Sequence, residues 1–126
     1  MLKRLVLVLL LVSLPACSKP SGDGGSAAVK TPSLQERAWA SVREGALLVD
    51  VRTQEEFDAG HLEGALLIPV DEIDSRASEL GDDKSRAIVL YCRTGNRSGQ
   101  AKRALEERGY TNVMNAGGYE RMRRVQ

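Results

Sequence analysis

Apolar residues follow two different periods along the chain after residue 33. Leu34, Ala38 and Val42 recur at helical spacing behind the capping box 33–36. Gly45 supplies a stop, so the pattern predicts a first helix. Residues 47–51 form instead an apolar run broken only by an aspartate, as expected for a strand that is covered on both faces.

The alternation of helix and strand signals continues to the end of the chain. The pattern predicts, in order, a short helix from the capping box 53–56 to Gly60, a strand over 66–68, a helix marked by Ile73, Ala77 and Leu80, a strongly buried strand over 87–91, a helix over 98–108, a strand over 113–115 and a helix over 119–125. Strands that alternate with helices imply an α/β fold, with a mainly parallel sheet and helices on both faces. We therefore expect one domain over residues 34–126.

The first 16 residues have the features of an export signal. Lys3 and Arg4 precede an unbroken apolar run over 5–12, which fades toward Ala16. A membrane-spanning helix needs roughly 20 apolar residues, so a permanent span is disfavoured. We expect segment 1–16 to direct export and then to be removed.

The residues after this run suggest a lipid anchor. Leu14-Pro15-Ala16-Cys17 resembles the lipobox of bacterial lipoproteins, which implies a lipid on Cys17, although an ordinary cleaved signal with an incidental cysteine is the alternative. Ser18 resembles the sorting pattern for the outer membrane, so the expected location is the cell envelope, facing the periplasm if the source is Gram-negative. Residues 17–33 are rich in Ser, Gly, Ala, Lys and Pro and predict a flexible tether on the order of 20 Å long.

Charge and composition disfavour a nucleic-acid partner. The 126-residue chain carries a formal net charge of +1, and removal of Lys3 and Arg4 leaves 16 basic residues against 17 acidic ones. Such a balance creates no basic field, and the aromatic content of 4% offers little surface for base stacking. With one histidine in the chain, no metal-ligand cluster and no cofactor are expected.

Cys92 is the strongest candidate for chemistry. It follows a buried strand and precedes a turn and a helix, the position at which parallel sheets place ligand sites. Amide N–H groups of residues 93–98 are expected to curl around the sulfur and to lower its pKa, and Gly95 permits the turn. With Cys17 held by lipid, no disulfide partner remains. The alternative is a small apolar side chain that ends a core strand.

Arg97 supports the interpretation that the loop after Cys92 binds an anion. It is expected in the first turn of a helix, where a cation opposes the helix dipole at a cost of about 0.3 to 1 kcal/mol. A cation placed at a cost indicates an anion for it to bind.

The segment Cys92-Arg93-Thr94-Gly95-Asn96-Arg97-Ser98 resembles the active-site loop of the rhodanese family of sulfurtransferases. Four further blocks stand in the order and spacing of that family: Asp50-Val51-Arg52, Glu56-Phe57, Gly60 to Ala65 and Gly117-Gly118. The resemblance covers residues 34–122. It implies a single-domain rhodanese with a three-layer α/β fold.

The resemblance also implies a reaction. The Cys92 thiolate takes the sulfane sulfur of a donor such as thiosulfate, and cyanide or a thiol accepts it from the resulting persulfide. The amides of the loop would stabilise the persulfide, while Arg93 and Arg97 are suited to an oxyanion donor. Asp50 and Arg52 are expected to support the loop by charge pairing. His61 is interpreted as structural, because a stabilised thiolate needs no base.

Three other functions stay open from the sequence. Cysteine phosphatases and arsenate reductases resemble Cys-x5-Arg, whereas Arg97 lies five positions after Cys92, which leaves a smaller cradle. A binding module is disfavoured because the cysteine is present. An envelope carrier that passes persulfide sulfur to a partner protein is compatible with every residue named.

Overall fold

A computed structural model describes residues 28–126 as one α/β domain. The predicted signal segment, Cys17 and most of the tether lie outside the described residues. The helices are α1 (Leu34–Arg43), α2 (Gln54–Ala59), α3 (Asn96–Glu107) and α4 (Tyr119–Arg123), and the strands are β1 (Leu47–Asp50), β2 (Leu66–Leu67), β3 (Ile88–Cys92) and β4 (Val113–Gly118). None of the helices in this part of the chain is long and apolar enough to cross a membrane.

The four strands form a single parallel sheet in the order β2-β1-β3-β4. The two central strands, β1 and β3, pair along the whole length of β1, from Leu47 opposite Ile88 to Asp50 opposite Tyr91. Because all strands run in one direction, their carboxyl ends meet at the same edge. The predicted α/β class with a parallel sheet is confirmed.

Side chains of the central strands alternate between two buried layers. On one face, Leu90 and Cys92 pack with Ala101 and Leu105 of α3. On the other face, Val89 and Tyr91 belong to a second core with α1 and with Met122 of α4. Burial on both faces explains why β3 is apolar without interruption.

The two capping boxes form as predicted. Ser33 accepts a hydrogen bond from the amide of Glu36, whose carboxylate accepts one from the amide of Ser33. Thr53 and Glu56 make the same reciprocal pair at the start of α2. These local signals fix both helix starts to the residue.

The helix predicted around Ile73, Ala77 and Leu80 is wrong. The chain makes two short 3₁₀ turns there, Val70–Glu72 and Ala77–Leu80, although all three apolar side chains are buried in the same core layer. Asp74 and Ser75, between the turns, are poor helix formers, because their side chains compete for hydrogen bonds.

Three predicted boundaries also differ by two residues or more. Helix α3 begins at Asn96 rather than Ser98, α4 ends at Arg123 rather than Val125, and β4 continues past Asn115 to Gly118. The earlier start of α3 shortens the loop after Cys92 to three residues, 93–95.

Candidate functional site

Cys92 is the last residue of β3, at the carboxyl edge of the sheet, and its side chain is 0% exposed. The loop 93–95 follows, and Gly95 caps α3 with φ of 103°, in the left-handed region. A Cβ atom at Gly95 would lie 3.1 Å from Cα of Gly117, so glycine is favoured there by both conformation and space. The loop turns tightly over the end of its own strand.

Hydrogen bonds converge on the sulfur of Cys92. The amide of Gly95 donates to Sγ at 3.0 Å, and the hydroxyl of Ser98 lies 3.4 Å from it. Burial is the largest single influence on the pKa of Cys92 and raises it, but hydrogen bonds from the Ser98 hydroxyl and the amides of Ser98, Gly95 and Thr94 together outweigh burial. The pKa of Cys92 therefore lies below its ordinary value, which favours the thiolate.

The Ser98 hydroxyl has a second acceptor within reach. It lies 2.7 Å from Oδ1 of Asn115. Two hydrogen bonds fix the orientation of the Asn115 side-chain amide: Nδ2 donates to the carbonyl of Gly95 at 2.9 Å, and Oδ1 accepts from the amide of Gly117 at 3.0 Å. A hydroxyl has one hydrogen, so Ser98 donates to Asn115 or to Cys92, but not to both at once. Asn115 was not identified from the sequence, which marked it only as the end of a strand.

Arg97 binds an anion supplied by the chain itself. Its guanidinium makes a two-point contact with Glu56 of α2, at 2.7 and 2.9 Å. Hydrogen bonds from Arg97, with smaller ones from Thr53, lower the pKa of Glu56 to about 2 in spite of partial burial. The same contact chiefly raises the pKa of Arg97, and attraction to Cys92 adds to it. The anion predicted for Arg97 thus includes Glu56, a residue predicted only as a helix cap and as part of the block Glu56-Phe57.

Asp50 and Arg52 form a buried ion pair. The closest contact joins Nη2 of Arg52 to Oδ2 of Asp50 at 2.7 Å, with the two side chains 6% and 0% exposed. Arg52 also donates to the carbonyl of Gly60 at 2.7 Å and stacks over the ring of Tyr119 at 4.5 Å. Within residues 28–126 the pair makes no hydrogen bond to the loop 93–95. The Arg52 guanidinium also lies 5.5 Å from the ring centre of Tyr91, the residue before Cys92, so the pair contacts the end of β3 as well as the end of α2 and the start of α4.

The remaining predicted residues lie on the surface of the loop or beyond it. Arg93, Thr94 and Asn96 are exposed. His61 is also exposed, stacks on Phe57 at 3.7 Å between ring centroids, and contacts the carbonyl of Phe57 through Nδ1 at 2.9 Å. These contacts hold His61 against α2.

Gly118 brings the end of β4 against the loop. A Cβ atom there would lie 2.5 Å from the carbonyl oxygen of Arg93, closer than packed atoms allow. Only a glycine permits this approach, which also sets where α4 begins.

Two open cavities adjoin the loop. One, of about 280 Å³, is lined by Arg93, Thr94, Gly118, Glu120, Arg121 and Arg124. The other, of about 390 Å³, is lined by Arg52, Glu56, Ala59, Arg93, Tyr119 and Glu120. Arg93 and Glu120 line both. In the described part of the chain, no group of three or more His, Cys, Asp or Glu side chains is arranged to hold a metal ion.

Comparison with known proteins matches this arrangement to a family. The model of the rhodanese-like domain matches residues 34–124. The thiosulfate sulfurtransferase PspE of Escherichia coli is 44% identical over 70 residues, which cover 56% of this chain and 67% of that protein.

Two solved structures extend the likeness to the fold. A rhodanese with anions from E. coli is 41% identical, with a TM-score of 0.57, over 60% of this chain and 88% of that one. The human single-domain sulfurtransferase TSTD1 is 32% identical, with a TM-score of 0.63, over 76% of this chain and 96% of that one. The predicted resemblance is therefore confirmed, and the chain belongs to the rhodanese-like family of sulfurtransferase enzymes.

Proposed function

We propose that Cys92 carries sulfane sulfur as a persulfide between a donor such as thiosulfate and an acceptor, cyanide or a thiol. The Cys92 thiolate attacks the outer sulfur of thiosulfate, the S–S bond of the donor breaks, and its electron pair leaves with sulfite. Cys92 then holds one additional sulfur atom. The acceptor attacks that atom, and the electron pair of the second broken S–S bond returns to Cys92.

The observation that carries this proposal is the set of donors around Sγ. The contact of 3.0 Å from the Gly95 amide and the lowered pKa of Cys92 favour a nucleophilic thiolate. The same donors favour the negative charge of a persulfide one atom further out. The loop therefore stabilises the anion before and after the sulfur is transferred.

Arg97 is proposed to bind the oxyanion end of the donor. Its two-point contact with Glu56 uses two of the five N–H groups of the guanidinium, and the others remain for sulfonate oxygens. Glu56 holds the guanidinium in one orientation near Cys92. A fixed arginine loses little side-chain entropy when the donor binds.

The test is direct. After incubation with thiosulfate, we expect the intact mass of the protein to increase by one sulfur atom, and cyanide should then release thiocyanate. Cys92→Ser should lose both, whereas Ser78→Ala, at an exposed hydroxyl outside the site, should keep both. Absence of the added sulfur in the wild type would refute the proposal. Formation of the persulfide without cyanide turnover would favour a carrier that delivers sulfur to a partner protein.

We also propose that this chemistry takes place in the bacterial cell envelope, with the domain held by a lipid on Cys17. The proposal depends on the lipobox-like segment Leu14 to Cys17. A fatty-acid analogue should label the wild type and not Cys17→Ser, and that variant should fail to partition into membranes. A labelled Cys17→Ser protein would contradict the anchor.

A further inference from the structure

The cavity of about 280 Å³, here called the arginine cavity, has an unusual lining. Arg93, Arg121 and Arg124 face it with one acidic residue, Glu120. Glu120 is paired with Arg123 at 2.8 Å, so its charge is largely compensated. Across residues 28–126, none of the three lining arginines forms a salt bridge or a side-chain hydrogen bond. The lining carries three positive charges against one negative charge, so the cavity has a net positive charge.

The fold brings these arginines to the active-site loop. Arg93 directly follows Cys92, and the tight contact of Gly118 with the Arg93 carbonyl places α4 beside the loop. Arg121 and Arg124 are three residues apart and share one side of that helical segment. Three cationic groups thus collect beside the active-site loop, although two of them are distant from it in sequence.

The neighbouring cavity of about 390 Å³ has a different character. Ala59 and the ring of Tyr119 contribute to its lining, and Arg93 and Glu120 connect it with the arginine cavity. Small-molecule sites commonly combine an apolar wall with a few charged groups that fix orientation, in volumes of about 300 to 1,000 Å³. The two cavities together fit an organic molecule with an anionic end, and exceed what thiosulfate alone would fill.

We propose that the arginine cavity binds the carboxylates of a small organic thiol that accepts the sulfur from Cys92. This inference rests on the proposed sulfurtransferase function and names its acceptor as a thiol bearing two carboxylates. The acceptor thiolate attacks the outer sulfur of the Cys92 persulfide, a new S–S bond forms, the bond to Sγ breaks, and Cys92 leaves as the thiolate. No oxidant or reductant is consumed.

The experiment compares two thiols of similar size, mercaptosuccinate with two carboxylates and uncharged 1-thioglycerol. Full-length protein in neutral detergent is first loaded with thiosulfate, and transfer to each thiol is then followed. For the double variant Arg121→Gln/Arg124→Gln, we expect KM to rise about 5- to 10-fold for mercaptosuccinate, as for the loss of two partly exposed charge contacts. KM for 1-thioglycerol should change less than about 2-fold. Arg103→Gln, at an exposed arginine that lines neither cavity, is the matched control.

Each of the other possible results would contradict the proposed acceptor site in a different way. Equal changes for both thiols, or none, would overturn the acceptor site while leaving the proposed function intact. If thiosulfate loads the double variant more slowly than the wild type, the arginines bind the donor, and the proposed acceptor site is likewise overturned. Lost binding to vesicles containing anionic lipid, with both KM values unchanged, would assign them to the membrane surface. If the wild type never gains sulfur, both the proposed function and this inference fall.

Discussion

Replacement of Ser98 by alanine tests how the protein lowers the pKa of its nucleophile. The Ser98 hydroxyl lies 3.4 Å from Sγ of Cys92 and 2.7 Å from Oδ1 of Asn115. With a neutral thiol, the shorter contact to Asn115 is satisfied. When the thiolate forms, the single hydroxyl hydrogen turns to the charged sulfur, and Oδ1 of Asn115 keeps only its contact with the Gly117 amide.

The expected shift follows from the difference between these two bonds. A hydrogen bond to a charged group contributes about 1.5 to 3 kcal/mol and one between neutral groups about 0.5 to 1.5 kcal/mol. The exchange therefore stabilises the thiolate by about 1 to 1.5 kcal/mol, and one pKa unit corresponds to about 1.36 kcal/mol. Because 3.4 Å is long for a hydrogen bond, we expect Ser98→Ala to raise the pKa of Cys92 by about 0.5 to 1 unit.

The assay is the pH dependence of alkylation by iodoacetamide, followed by the mass of the peptide that contains Cys92. Below the pKa, Ser98→Ala should react about 3- to 10-fold more slowly than the wild type, since only the thiolate reacts. Loading by thiosulfate should slow by the same factor. Ser78→Ala should match the wild type. An unchanged or lower pKa in Ser98→Ala would refute the exchange of the hydroxyl between its two acceptors.

Two further predictions concern the residues around the loop. Glu56→Gln keeps an acceptor for the capping box but loses the ion pair with Arg97, so the free energy of unfolding at neutral pH should fall by about 1 kcal/mol. The pKa of Glu56 is lowered to about 2 in the folded state, so its contribution to stability is present above the unfolded pKa of about 4.3 and is lost as pH falls toward 2. In urea titrations, the difference in unfolding free energy between Glu56→Gln and the wild type should therefore shrink over that pH range. A difference that stays constant would contradict the ion pair as its source. Gly118→Ala forces the Arg93 carbonyl away from β4, so we expect slower loading by thiosulfate and a higher KM for mercaptosuccinate than in Gly109→Ala. Gly109 has a φ of 92°, so alanine strains the backbone there too, but its Cβ meets no atom within 4 Å; equal kinetics of the two folded variants would argue against the close approach.

Local signals account for the features that the sequence predicted well. The capping boxes at Ser33 and Thr53 involve residues three positions apart, and the apolar run before Cys92 reflects burial on both faces of one strand. The helix wrongly predicted around Ile73 was also based on a local signal, the spacing of apolar residues. Apolar spacing indicates which side chains face the core, and two 3₁₀ turns bury Ile73, Ala77 and Leu80 in one layer as a helix would have done.

The parts of the site that the sequence did not predict depend on contacts between distant positions. Arg97 and Glu56 are 41 residues apart, and Ser98 and Asn115 are 17 apart. Glu56 was predicted as part of a capping box and of the family block Glu56-Phe57, and neither pattern identified Arg97 as its partner. The cost of a cation in the first turn of a helix did indicate an anion for Arg97. It could not distinguish a bound substrate from a carboxylate of the same chain.

Strand β4 joins the two halves of the proposed reaction. Asn115 competes with Cys92 for the Ser98 hydroxyl, and three residues later Gly118 holds α4 and its arginines against the loop. The contact of Asn115 with Ser98 affects the pKa of Cys92, and the contact of Gly118 with the loop affects where the acceptor thiol is bound. A substitution of a side chain on α4 should therefore change the pKa of Cys92 less than a change that moves the β4 backbone. The backbone change should alter both properties together, because both contacts depend on one continuous segment of chain.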